Sequence, residues 1–499
     1  MRRAAVASRR AGSGAGVRMR KNGGMTFDFE RKQRIAIIGG GPGGYEAAIA
    51  GAQLGAEVTL VENTGVGGSA VLTDVVPSKT LIATADAARA IGDAGDLGVQ
   101  FYARGENGKP LKPEVAINLR SVNKRILALA GQQSEDIREQ LLEAGVNIIS
   151  GHGRLEGDEA VVVSTGPKGT DFDRIEADTF VISVGASPRE LPSAKPDGDR
   201  ILTWTQLYDL EAVPEHLIVV GSGVTGAEFA SAYMNLGAQV TLVSSREQVL
   251  PGEDPDAAKV LEKVFKRGGM KLLAKSRADK VVNTGDGVVV TLSDGSTVEG
   301  SHCLMAVGSV PNTKGLGLED AGVQLADSGH ILVNKVGRTS VPNIYAVGDC
   351  TNLVPLASVA AMLGRTAVFH AMGDAVIPFS ERKIASNIFT SPEIATVGWT
   401  QEEGSAVYKL PLEANARAKM MGVKDGFVKL FAREASGTVI GGVVVAPKAS
   451  ELIFPIAIAV ERRLTVDQVG RVFAAYPSLT TSITDAARAM HGVNLRGGI

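Results

Sequence analysis

A chain of 499 residues suggests about three domains of ordinary size, and 44% hydrophobic with 21% charged residues suits a globular protein with a large core. A net charge of −2 leaves no uniform basic patch, which argues against nucleic acid or an anionic surface as partner. Two cysteines, Cys303 and Cys350, exclude a disulfide framework and suit a reducing cytoplasm; no uninterrupted apolar run reaches the ~18 residues of a membrane span.

Residues 1–24 carry seven Arg or Lys and no acid. They lack the apolar core of a secretory signal, so residues 1–30 read as a disordered basic tail or an upstream start, with Met25 opening the folded protein. RIAII at 34–38 is a β-branched run of the kind that forms a buried parallel strand. It leads into Gly39-x-Gly41-x-x-Gly44, then a helix, then a strand ending on Glu62. That order is the dinucleotide fingerprint: glycines for the turn, the pyrophosphate approach and helix–strand packing, and an acid about 20 residues on for the ribose. HLIVV at 216–220 repeats it with Gly221, Gly223 and Gly226, Glu228 following. The next strand ends on Ser244, Ser245 and Arg246 with no acid, an end that tolerates a 2′-phosphate; NADPH, NADH or both could bind.

Two dinucleotide folds imply two dinucleotides, and FAD with a nicotinamide is the economical pair, because a hydride passes between stacked rings. IYAVGDC at 344–350 places Asp349 where a carboxylate can meet the flavin's ribityl and pyrophosphate region. FVISVGASP at 180–188 and LMAVGSVPN at 304–312 look alike and suggest two crossings between the nucleotide domains. The run at 453–460, interrupted by Pro455, reads as buried core. Strands such as FVKLFA and helices such as SELIFPIAIAVERR make the C-terminal part an α+β unit, with Arg462 and Arg463 as rim charges.

In this order the motifs resemble the pyridine nucleotide–disulfide oxidoreductase family, the flavoproteins of dihydrolipoamide dehydrogenase and glutathione reductase type, over residues 34–499. The resemblance implies an α/β protein with two Rossmann-like dinucleotide-binding domains plus an α+β dimerisation domain. Its boundaries would be 31–170 with 300–372 for FAD, 171–299 for NAD(P), and 373–499 for the homodimer interface. Candidate residues around FAD are Gly39, Gly41, Pro42, Gly43, Gly44, Glu62, Gly68, Ser69, Lys79, Gly153, Ser183, Gly185, Gly348, Asp349, Leu356 and Ala357, with His152 near the adenine. Around the nicotinamide coenzyme they are Gly221, Gly223, Val224, Thr225, Gly226, Glu228, Ser244, Ser245, Arg246 and Gly308. Lys79 of the PSK motif would lie beside flavin N5, paired with Glu228, a cation that stabilises reduced flavin. No metal is expected.

Two positions depart from the family. Its redox cysteines fall on Ala70 and Val75 in GVGGSAVLTDVVPSKT, and its catalytic His and Glu fall on Tyr476 and Thr481. An acid–base His has no task without a thiol to protonate. Dithiol–disulfide exchange is therefore excluded, while the flavin half-reaction remains. Ala70, Val71 and Val75 would form an apolar face for a flat quinone, with Tyr476 of a second subunit reaching its oxygen. The chain is similar to a subgroup of actinobacterial NAD(P)H–quinone reductases without the cysteine pair, which makes quinone reduction the leading expectation. Soluble transhydrogenation, a non-catalytic flavoprotein module, and oxidase or diaphorase chemistry are the alternatives.

Overall fold

The computed structural model describes residues 17–19, 25–27, 32–101, 115–166, 171–399 and 405–491. Apolar runs without alternation need cover on both faces, which a parallel sheet between helices supplies. Five such strands lie parallel in the order Ile344–Ala346, Thr179–Ile182, Arg34–Ile38, Glu57–Glu62, Asn147–Ser150. A second sheet repeats the plan with Ile201–Leu202, His302–Met305, His216–Val220, Gln239–Val243 and Lys271–Leu273. In each, the central strand turns through the glycine motif into a helix, Pro42–Gln53 in the first and Val224–Asn235 in the second. Each half also carries a three-stranded antiparallel meander, at 152–176 and 278–300.

The two look-alike segments do form the crossings. Ala186–Pro188 pairs antiparallel with Ser309–Pro311, so both passages between the halves run through one two-stranded ribbon. This moves the expected boundaries at 170 and 299. Asp171–Glu176 completes the first meander and Thr179–Ile182 lies in the first sheet, whereas His302–Met305 lies in the second. The chain therefore leaves the first half after 182 and returns after 305.

The C-terminal unit is a five-stranded antiparallel sheet ordered Ala385–Ile388, Glu393–Gly398, Val439–Ala446, Phe427–Arg433, Ser405–Pro411. Helices Ala449–Glu461 and Thr481–Met490 pack on it. Ile453, Ile456 and Ala459 face its core, but Phe454 and Ile458 are exposed, so the run at 453–460 is only half buried. Tyr476, Val472 and Phe473 add to the exposed apolar side chains of this unit.

The tail expected to be disordered holds one short ribbon, Val17–Met19 paired with Met25–Phe27; the remainder of 1–31 lies outside the described residues. Among the described residues no helix is long and apolar enough to cross a membrane.

Candidate active site

Backbone geometry separates two kinds of glycine in each motif. Gly39 has φ +98°, and a Cβ there would stand 2.3 Å from Ser183 O; one on Gly44 would stand 1.9 Å from Gly39 O. Gly221 and Gly226 meet the same obstacles, at 2.1 Å from Ala306 O and 1.9 Å from Gly221 O. These glycines are required by the chain itself. The middle ones are not: Gly41 (φ −67°) and Gly223 (φ −70°) adopt backbone conformations open to any residue. A Cβ would approach nothing nearer than 4.0 Å at Gly41 and nothing within 4 Å at Gly223. What does need glycine there is a pyrophosphate lying against the N-termini of helices Pro42–Gln53 and Val224–Asn235. Both cradles fit a dinucleotide.

Around the first cradle, Glu62 is buried and its carboxylate ties the loop together. Oε2 accepts from Gly40 N at 2.5 Å, and Oε1 accepts from Thr64 N at 2.7 Å and Thr64 Oγ1 at 2.9 Å. A carboxylate offers about four acceptor sites, so Oε2 keeps capacity for a ribose hydroxyl. The glycine-rich turn lies directly on the motif: Gly67 N donates to Gly40 O at 2.8 Å, and a Cβ on Gly68 would come 2.9 Å from Gly41 Cα. This places Ser69 at the same loop. Gly43 sits under Val347 and Ser183, and Gly153 packs on Val61 and Ile38 beside His152, whose Nδ1 lies 3.1 Å from Asn63. Gly348 (φ +79°) turns the chain so that Asp349 follows, and burial raises the Asp349 carboxyl above its ordinary range. Leu356 caps the helix beginning at Ala357, and Gly185 and Gly308 stand at the two ends of the crossing ribbon.

Around the second cradle one expectation fails. Ser244 is buried, its hydroxyl 2.7 Å from Ser222 Oγ and accepting from Arg246 N at 3.1 Å, so it closes the turn and does not face a ligand. Ser245 and Arg246 remain exposed, as do Val224 and the neighbouring acid Glu247, which pairs with Lys275 at 2.8 Å.

All three units meet at Glu228. Its Oε2 accepts from Lys79 Nζ at 2.8 Å, and its Oε1 accepts from Phe389 N at 2.8 Å. Lys79 belongs to helix Val75–Asp93 of the first half, Glu228 to helix Val224–Asn235 of the second, and Phe389 to the C-terminal unit. The Lys79 ammonium lies 5.0 Å from the centre of the Phe389 ring, and Ser391 N donates to Ser231 Oγ one turn away. Glu228 is only 5% exposed and Lys79 28%. Such a pair holds a positive charge at a fixed place with one face toward solvent. Phe389 and Ser391 carry no motif, and sequence reasoning passed them over.

The expected apolar face needs correction. Val71 is buried in the core of the first half, and Ala70 and Val75 are only half-buried. Among them stands Asp74, an acid the sequence reading did not single out. Burial pushes its carboxyl up to about 6; Lys79 acts against that, and Glu228 and Asp349 reinforce it.

Tyr476 is 78% exposed on a cis bond to Pro477, and no hydrogen bond joins it to Lys79 or Glu228 among the described residues. Thr481 bonds Asn415 and Ser478 within its own unit. Cys303 and Cys350 are free, fully buried, and lie in different cores. Burial raises both thiols, Cys350 to about 12, so neither supplies a thiolate. A cleft of about 560 Å³ lies apart from these residues, lined by Arg382, Lys383, Trp399, Arg433 and Arg463 among others. Arg463 thus lines a cavity wall, and Arg382 stacks 3.9 Å over Trp399.

Residues 33–364 match the family model described as pyridine nucleotide-disulphide oxidoreductase, and residues 384–487 match that family's dimerisation domain. An NAD(P)H dehydrogenase (quinone) of Mycobacterium tuberculosis is 52% identical over 470 residues, covering 92% of this chain and 94% of that one. A dihydrolipoyl dehydrogenase of Haloferax volcanii is 32% identical over 483 residues, covering 94% and 99%. The crystal structure of LpdA from Mycobacterium tuberculosis superposes with a TM-score of 0.86 at 50% identity, covering 92% of this chain and 99% of that one. The HOCl-induced flavoprotein disulfide reductase RclA from Escherichia coli, at 21% identity and TM-score 0.79, shares the fold.

Proposed function

Because the chain belongs to the pyridine nucleotide-disulphide oxidoreductase family, we propose that it takes a hydride from NAD(P)H and delivers it through FAD to a quinone, without a thiol relay. The observation that carries this is the Lys79–Glu228–Phe389 junction at a site whose two cysteine positions hold Ala70 and Val75. The flavin-side charge is kept and the disulfide side is gone. The first glycine cradle with Glu62 would hold FAD, whose ring would supply two-electron hydride chemistry between coenzyme and acceptor. Lys79 stabilises the negative charge that arrives with the hydride, and Glu228 keeps the ammonium oriented and limits the cost of holding it.

The quinone comes from the acceptor's chemistry and from the 52% identical relative's name. A quinone is flat, takes two electrons and needs no sulfur partner. The exposed apolar side chains around Phe454 and Phe473, with the family's dimerisation domain, support a homodimer in which Tyr476 meets the acceptor of the other subunit. Transhydrogenation between NADH and NADPH is the second reading, favoured by exposed Ser245 and Arg246 at a strand end without an acid.

The test is turnover of the purified FAD enzyme with NADPH and menadione before and after exhaustive thiol alkylation, with lipoamide as the alternative acceptor. Menadione reduction unaffected by alkylation, with no lipoamide reduction, is expected. Lipoamide reduction, or loss of menadione activity on alkylation, overturns the reading.

A further inference from the structure

We infer that Lys275 is a second cation for the 2′-phosphate of NADPH, and that Glu247 is the anion this phosphate displaces. The inference rests on the reading that the second cradle takes NAD(P)H, and it gives a task to two residues that reading leaves idle.

The placement follows from the backbone. Strands Gln239–Val243 and Lys271–Leu273 run parallel, with Val243 opposite Leu273. Where the strands end the two chains stay joined. Ser244 N donates to Leu273 O at 2.8 Å, Ser276 N to Ser244 O at 2.8 Å, and Lys275 N to Arg246 O at 2.9 Å. Lys275 is therefore tied to the residue expected to meet the phosphate, although helix Pro255–Arg267 separates them in sequence. Its φ of +55° is left-handed, a conformation that favours glycine, and the chain nonetheless carries a long cation there. In a dinucleotide fold the adenosine ribose lies at this end of the second strand, beyond the helix N-terminus that takes the pyrophosphate.

The charges here are not those of a structural bridge. Lys275 Nζ lies 2.8 Å from Glu247 Oε1, with the two side chains 70% and 81% exposed. A pair so open to water contributes little to folding. Arg246, one residue before Glu247, is exposed and pairs with no carboxylate among the described residues. Two cations thus share one acid. A 2′-phosphate carries nearly two negative charges near neutrality, its second pKa lying at about 6. It can accept from a guanidinium and an ammonium together, so it displaces a single carboxylate from Lys275. The released Glu247 has room to turn, because it lines a cavity of about 140 Å³ with Ser244, Ala274 and Lys266 among others.

The same arrangement sets how far the two coenzymes are told apart. NADH brings a neutral 2′-hydroxyl, which leaves the Lys275–Glu247 pair closed and meets no acid at Ser244, Ser245 or Arg246. NADPH gains two cations, but only by removing Glu247. Glu247 therefore lowers a preference for NADPH that Arg246 and Lys275 would otherwise make larger.

The experiment is calorimetric binding of NADP⁺ and NAD⁺ to the oxidised FAD holoenzyme, for wild type, Lys275→Met, Lys275→Arg, Glu247→Gln and the Lys275→Met, Glu247→Gln double variant. Neither nucleotide reduces flavin, so binding is read without turnover or acceptor. Every replacement is unbranched and none is glycine, which keeps the backbone at 275 equally strained throughout. Lys275→Met should weaken NADP⁺ about tenfold and change NAD⁺ by less than about twofold. Lys275→Arg should hold NADP⁺ within about threefold of wild type. Glu247→Gln should tighten NADP⁺ about threefold, a gain lost in the double variant because Glu247 then competes for nothing. Equal weakening of both nucleotides in Lys275→Met, or of neither, overturns the role of Lys275. An NADP⁺ affinity unchanged in Glu247→Gln overturns the competition. A wild type that binds neither nucleotide overturns the coenzyme reading, and this inference with it.

Discussion

Among the lysines in ion pairs at boundaries between units, Lys429 and Lys79 are built differently. Lys429, 9% exposed, donates to both oxygens of Asp254 at 2.8 and 2.7 Å and lies 2.7 Å from Asp256 Oδ2. Its three protons are met by three carboxylate oxygens. Lys79 meets one oxygen of one carboxylate, with an aromatic ring beneath it and 28% of its side chain open. The first arrangement joins the nucleotide half to the C-terminal unit; the second carries a charge to a surface where something else can use it. Saturation of the donor distinguishes a structural cation from a chemical one.

The sharpest way to break that comparison is to remove each cation in turn. Lys429→Met should cost about 3–5 kcal/mol of unfolding free energy, because Asp254 stays buried without its partner. Chemical denaturation would measure it, and the folded fraction should still reduce menadione. Lys79→Met should behave in reverse. Flavin reduction by NADPH should slow about 100-fold in stopped flow, with a smaller stability loss than Lys429→Met since solvent reaches the Lys79 side. If Lys79→Met destabilised more and slowed less, the saturation argument would fail.

Arg246 extends the comparison to an exposed cation. Arg246→Ala should raise KM for NADPH about tenfold and leave that for NADH nearly unchanged. Equal effects on both coenzymes would remove the 2′-phosphate from its role. The smallest effect belongs to Tyr476, a single neutral hydroxyl where the homodimer would bring it to the acceptor: Tyr476→Phe should change menadione turnover by no more than about threefold. A loss of about 100-fold would make Tyr476 a proton donor to the acceptor.

Stability should also report Asp74. Its carboxyl titrates at about 6 in the folded protein against 3.8 ordinarily, so the native state binds the proton more tightly. That stabilisation is complete below about pH 4 and is lost as pH rises toward 6. Above it Asp74→Asn should be stabilising relative to wild type, by about 1–3 kcal/mol at most.

Much of this was legible in the sequence where the backbone itself demanded a residue type. Gly39, Gly44, Gly221 and Gly226 are forced by carbonyls within 2.3 Å of any added Cβ, and they fix strand, turn and helix around them. The Lys79–Glu228 pair was readable because both residues follow those motifs at set distances. The crossing segments were readable from their likeness, but their boundaries were not, because Asp171–Glu176 looks no different from a strand of the next domain until it pairs with Ala160–Thr165. Ser244 misled because its hydroxyl is taken by Ser222, 22 residues earlier. Phe389 was silent for a deeper reason: it matters only once three units converge on Glu228, and no local pattern records that.

The central claim, that electrons leave the reduced enzyme directly for a quinone, is tested by following flavin absorbance of the anaerobic, NADPH-reduced protein after separate additions of menadione, lipoamide and NAD⁺. Rapid reoxidation by menadione and none by lipoamide is the predicted result. Reoxidation by NAD⁺ with no response to menadione would contradict the claim and make the chain a transhydrogenase.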